Sequence, residues 1–124
     1  MPGLLKCQEY GIHNIVLELD LNFRGIDYSD YNARKICHLI SHRFQWIRQH
    51  LSRNSHILVN IRDFTECMAE CPARVLYLVR WLSSLPSDER LFGLCVEEGG
   101  RCRGEELGVW VGALREEMKN AGWR

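Results

Sequence analysis

Three stretches of the chain alternate apolar and polar side chains with the two-residue period of a strand. They are 14–20 (NIVLELD), 56–62 (HILVNIR) and 91–97 (LFGLCVE). Each is followed by a longer stretch whose apolar residues return every three or four positions, the spacing that gathers them on one face of a helix. In the first of these, Ala33, Ile36, Cys37, Ile40, Phe44, Ile47 and Leu51 form the stripe, with Ser29 and Asp30 placed to cap its start and SRNS to end it. The second is predicted from about Pro72, a residue suited to a first turn, with Val75, Leu78, Val79 and Leu82 on one side. The third follows GGRCRGEE, carries Leu107, Trp110, Val111, Leu114 and Met118, and ends near Gly122.

The order is βαβαβα, so a parallel sheet is expected, each helix returning the chain over the sheet by a right-handed crossover. Residues 3–7 are candidates for a fourth strand. Side chains alternate between the two faces of a strand, which puts Ile15, Leu17 and Leu19 on one face of the first and Val16, Glu18 and Asp20 on the other. Val59 and Ile61 oppose Asn60 and Arg62 in the second; Phe92, Leu94 and Val96 oppose Gly93, Cys95 and Glu97 in the third.

A sheet covered by helices on both sides needs strands that are apolar on both faces. A (β/α) barrel instead packs its outer face on helices and tolerates polar groups inside, near the carboxyl ends of the strands where active sites lie. The second pattern fits better. The expected class is α/β: a partial, (β/α)-barrel-like parallel sheet with helices on one face. Glu18, Asp20, Asn60, Arg62, Asp63 and Glu97 are then a candidate polar mouth. A full barrel takes eight strands and about 250 residues, far more than this chain supplies, and charges on a bare sheet face need partners. Self-association, as a homodimer or larger, is expected to compensate.

The bulk properties narrow the partners. A chain of 124 residues is read as one domain spanning 1–124, long enough to bury a substantial core. Sixteen basic residues balance sixteen acidic ones, which removes the excess of positive charge that nucleic-acid binding requires. No apolar run reaches the roughly 18–20 residues of a membrane span. MPGLLKCQEYGIH lacks the basic and long apolar regions of a secretory signal, so a cytoplasmic protein is expected. The six cysteines, with Cys37 and Cys95 inside apolar periodic segments, are read as reduced thiols rather than a disulfide framework.

Several other residues carry chemistry but have plainer roles open to them. The loop holding Gly99, Gly100, Arg101 and Arg103 leads into a helix start, a place for a phosphate or carboxylate, although Glu105 and Glu106 oppose an anion there. His38 and His42 stand four apart on a helix, as do Cys67 and Cys71 in CMAEC; neither pair has a second half to complete a metal site, and no metal ligands are assigned. Cys95 is a candidate nucleophile on the polar face, but Glu97 beside it works against a thiolate. Trp46, Trp81 and Trp110 are read as helix packing residues.

The strand end IRD at 61–63 resembles the Arg-Asp that closes the first strand in the lyase-and-synthase superfamily of barrels that includes HMG-CoA lyase. That resemblance implies a metal-binding role for Asp63 and enolate stabilisation by Arg62. The chain departs from it in Phe64, where that family has Gly, and in lacking a His-x-His pair. Two functions therefore follow as expectations. One is an assembly or binding module built on a partial barrel. The other is an enzyme acting on a small anionic substrate at the strand ends, with assistance from a divalent metal. No cofactor is indicated.

Overall fold

The computed structural model describes residues 2–20, 30–97 and 104–123, with side chains from residue 34 onwards in the second segment. The elements are α1 (Pro2–Glu9), β1 (Ile15–Leu19), α2 (Asp30–His50), β2 (Ile57–Ile61), α3 (Phe64–Glu70), α4 (Pro72–Ser83), β3 (Gly93–Val96) and α5 (Gly104–Asn120). The sheet is three-stranded, wholly parallel, and ordered β1-β2-β3. Successive right-handed crossovers that always step in the same direction place every connecting helix on the same side. Helices on one face, in a βαβαβα frame, are therefore what this strand order requires, and the arrangement is consistent with an arc of a barrel wall.

Register makes the two faces distinct. Ile15, Leu17 and Leu19 align with Ile57, Val59 and Ile61, and the last two align with Leu94 and Val96. This is the covered face. Ile57, Val59 and Ile61 on the central strand have at most 1% of their surface exposed, and Leu17, Leu19, Leu94 and Val96 pack against the same core. Helix α2 adds Cys37, Ile40, Phe44 and Ile47; α4 adds Val75, Leu78, Val79 and Leu82; α5 adds Leu114. Trp46, Trp81 and Trp110 lie partly buried against this core.

Two helices lie where periodicity predicts none. Residues 3–7 are no fourth strand; they lie in α1, which begins at Pro2 and buries only Leu4. Its chain is reversed at Gly11, whose φ of +68° suits glycine, with the Ile12 N–H donating to the Cys7 carbonyl. Helix α3 fills the gap before Pro72 with buried Phe64, Thr65, Cys67 and Met68. Seven residues are too few to show a helical period, while four buried side chains make the turn stable all the same. The third strand also starts later than expected. Phe92 lies before it with 65% of its surface exposed, its ring stacked on His56 at 4.3 Å rather than in the core.

The Arg48 guanidinium fastens the carboxyl end of α2 to the segment before β3, donating to the carbonyls of Glu89 and Arg90 at 2.8 and 3.1 Å. Burial lowers the pKa of Arg48, opposed by the nearby carboxylates of Glu89 and Asp88. Arg80 pairs with Glu117 and ties α4 to α5. Among the described residues no helix is long and apolar enough to cross a membrane.

Candidate functional site

The uncovered face of the sheet carries Val16 and Glu18 from β1, Leu58 and Asn60 from β2, and Gly93 and Cys95 from β3. These residues are paired in register as Val16 with Leu58, Leu58 with Gly93, Glu18 with Asn60, and Asn60 with Cys95. The amino-terminal half of this face is apolar and the carboxyl-terminal half polar. Val16 is 55% exposed. A side chain added at Gly93 would meet the Leu58 Cδ2 at 3.5 Å, so glycine leaves a shallow floor beside Leu58.

At the carboxyl ends, three of the six residues of the candidate mouth come together. The Asn60 amide donates to Glu97 Oε2 at 3.2 Å, and Arg62 Nε lies 3.9 Å from the same oxygen. Glu18 is the register neighbour of Asn60. The strands extend into this corner through backbone hydrogen bonds: the Arg62 N–H to the Leu19 carbonyl, and the Glu97 N–H to the Ile61 carbonyl, both at 3.0 Å. The side chains of Arg62 and Glu97 are about half exposed, at 49% and 53%. Their attraction is thus screened by water, and the corner is a solvated rim rather than a closed mouth.

Asp63 and Asp20 also bear on a second place, the Cys67 thiol. Asp63 adopts φ 51° and ψ 42°, the left-handed conformation that Asp tolerates better than most residues, and turns the chain from β2 into α3. The Phe64 N–H behind it donates to the Glu97 carbonyl at 3.0 Å, locking the turn to the end of β3. The charges of Asp63 and Asp20 reach the Cys67 thiol below α3. Burial, the adjacent Cys71 and these two carboxylates push that thiol up to about 12.

The other candidates separate in the same way. His38 and His42 are exposed on α2. Among the described residues no group of three or more His, Cys, Asp or Glu side chains is placed to hold a metal ion. Cys95 is half-buried on the open face, and all five described cysteines are free. Burial pushes the Cys37 thiol up to about 11, as befits a core residue. Ser29, the side chains of Asp30 and Ala33, and the loop with Gly99, Gly100, Arg101, Cys102 and Arg103 lie outside the described residues.

Nothing in the residue pattern signals the stacking of His56 on Phe92 or the influence of Cys71 on the Cys67 thiol. The four-residue spacing of the cysteines is visible in CMAEC, but the direction of the second side chain depends on the break that Pro72 imposes. No protein-family model, curated protein or solved structure matches the chain.

Proposed function

We propose that the chain is an assembly module, the arc of a barrel-like wall, that covers its open sheet face with a second copy of itself. The observation that supports this reading is the bare face, with Val16 55% exposed at its apolar end. The charge pattern suits a like partner. With formal net charge zero the copies do not repel at long range. The rim holds both signs, so a two-fold axis that sets the carboxyl ends together brings Arg62 of each copy within reach of Glu18 and Glu97 of the other.

Area sets the strength. Strands about 4.8 Å apart, each of about five residues rising about 3.3 Å, give roughly 250 Å² of flat face, against about 800 Å² per partner in a stable complex. The association is therefore of the weak, concentration-dependent class. An enzymatic reading has less behind it, because Arg62, the cation an anionic substrate would meet, already leans on Glu97.

Sedimentation from about 10 μM to about 1 mM, the range in which so small a contact dissociates, tests the proposal. The mean mass should rise towards twice the chain mass, and Val16→Glu should hold the chain monomeric at every concentration. A parent chain that remains folded and monomeric throughout would refute it.

A further inference from the structure

Helix α3 ends and α4 begins at Cys71, and the cause is the residue after it. Pro72 has no N–H to donate, and its ring drives the preceding residue out of the helical region. Cys71 accordingly sits at φ −145° and ψ 57°. Before that break the backbone still closes one helical turn, with the Cys71 N–H donating to the Cys67 carbonyl at 2.7 Å. Such a turn holds its end Cα atoms about 6 Å apart, inside the span of roughly 4.4–6.8 Å that a disulfide bridges.

In an unbroken helix the two Cβ atoms would stand about 5–6 Å apart, too far for the bridge. Rotation of φ at Cys71 re-aims its side chain, and Cys71 is near enough to Cys67 to help push that thiol's pKa up. Their exposures differ. Cys67 has 0% of its surface exposed and also turns its sulfur to the Arg62 carbonyl at 3.9 Å, whereas Cys71 is half-buried. A reagent from solution therefore meets Cys71 first and finds Cys67 directly behind it.

We propose that Cys67 and Cys71 form a redox modification site, closing a reversible intramolecular disulfide by exchange with a small-molecule disulfide such as oxidised glutathione. The Cys71 thiolate attacks one sulfur of the reagent, a protein–glutathione bond forms, the reagent's S–S bond breaks, and one glutathione leaves as its thiol after taking up a proton. Cys67 loses its proton to solvent and attacks the Cys71 sulfur, and the second glutathione leaves in the same way. The cysteine pair is oxidised by two electrons, and the reagent is reduced to two thiols. The setting of Cys67 bears on both rate and poise. The Cys67 thiol, held neutral by burial, by Cys71 and by Asp63 and Asp20, attacks slowly, but with its thiolate disfavoured the reduced form gains no stability from it and the disulfide is favoured at equilibrium. This inference stands on the α3–α4 junction and is independent of whether the sheet face pairs with a second copy.

The test equilibrates the full chain in buffers of graded oxidised-to-reduced glutathione, quenches with acid, blocks free thiols with N-ethylmaleimide in denaturant, and digests with trypsin. Arg62 and Arg74 delimit one peptide, residues 63–74, that contains both cysteines and no other. The expected result is conversion of this peptide to an unlabelled form two hydrogens lighter, reversed by reduced glutathione, while the Cys37 peptide stays labelled. Double labelling at every ratio, arrest at a glutathione adduct on Cys71, or a bridge from either cysteine to another peptide would each overturn the proposal. Cys71→Ser, which leaves the fully buried cysteine in place, should leave Cys67 fully labelled at every ratio. Glutathione addition to Cys67 in that variant, to the extent seen at the pair in the parent, would show that Cys71 is not the point of entry and would overturn it equally.

Discussion

Truncation of Ile61 to alanine tests the assignment of the sheet's two faces most directly. Ile61 is wholly buried at the centre of the sheet, in register with Leu19 on one side and Val96 on the other. The change removes three carbons, each worth about 0.8 kcal/mol of transfer from water, or about 2.4 kcal/mol together. A cavity term adds to this, because the strand cannot move in to fill the space. It is bonded on both sides, by the Arg62 N–H to Leu19 and by the Glu97 N–H to the carbonyl of Ile61 itself. The expected loss is about 3–4 kcal/mol, inside the range of about 2–5 kcal/mol for such truncations. Urea unfolding at equilibrium measures it, with an unchanged denaturant slope showing that the unfolded state is not altered. Val16→Ala, on the exposed face of the neighbouring strand, is the control and should cost no more than about 0.5 kcal/mol. A loss below about 0.5 kcal/mol for Ile61→Ala, or equal losses at the two positions, would mean that the faces are reversed.

Other outcomes follow from the same geometry. Arg62→Met should cost at most about 0.5 kcal/mol at pH 7, since the pair with Glu97 is half exposed; a loss above about 2 kcal/mol in urea unfolding would show a closed, desolvated site instead. Arg48→Met removes two charged hydrogen bonds to the Glu89 and Arg90 carbonyls and should cost about 1–3 kcal/mol, with hydrogen exchange accelerated in the segment before β3; unchanged exchange there would mean that the segment is held by other contacts. The raised pKa of the Cys37 and Cys67 thiols makes stability pH-dependent. Between the ordinary value of 9.0 and the folded values of about 11 and about 12, the unfolded chain has lost protons that the folded chain keeps. Stability should be fully present below pH 9.0 and fall as pH rises above it, and Cys37→Ala should fall less steeply than the parent; parallel curves for the two proteins would place Cys37 in water.

The frame of the fold is legible in the pattern of the chain. Alternation at 14–20, 56–62 and 91–97 and the three longer helical stripes are repeated signals, each supported by several residues that must share one face to be buried. The parallel order and the single layer of helices then follow from chirality. Short elements escaped. Helix α1 offers one buried side chain, Leu4, and α3 is too brief for a period to register, so tertiary packing rather than local pattern decides them. Asp63 is decided in the same way: it takes a left-handed turn into α3 with no side-chain cap, a conformation that no residue pattern announces.

The candidate site divides along the same line. That Glu18, Asn60, Arg62 and Glu97 share the polar side of the strands was legible, because a strand's two faces are dictated by its period. How deep they lie was not. Exposure depends on what covers the face, and only the fold shows half-exposed Arg62 and Glu97 on a rim. The relation of Cys67 to Cys71 likewise needed three dimensions. Spacing set the two thiols one turn apart, but the direction of the second depends on a backbone angle that Pro72 forces and that the burial of α3 and α4 holds in place.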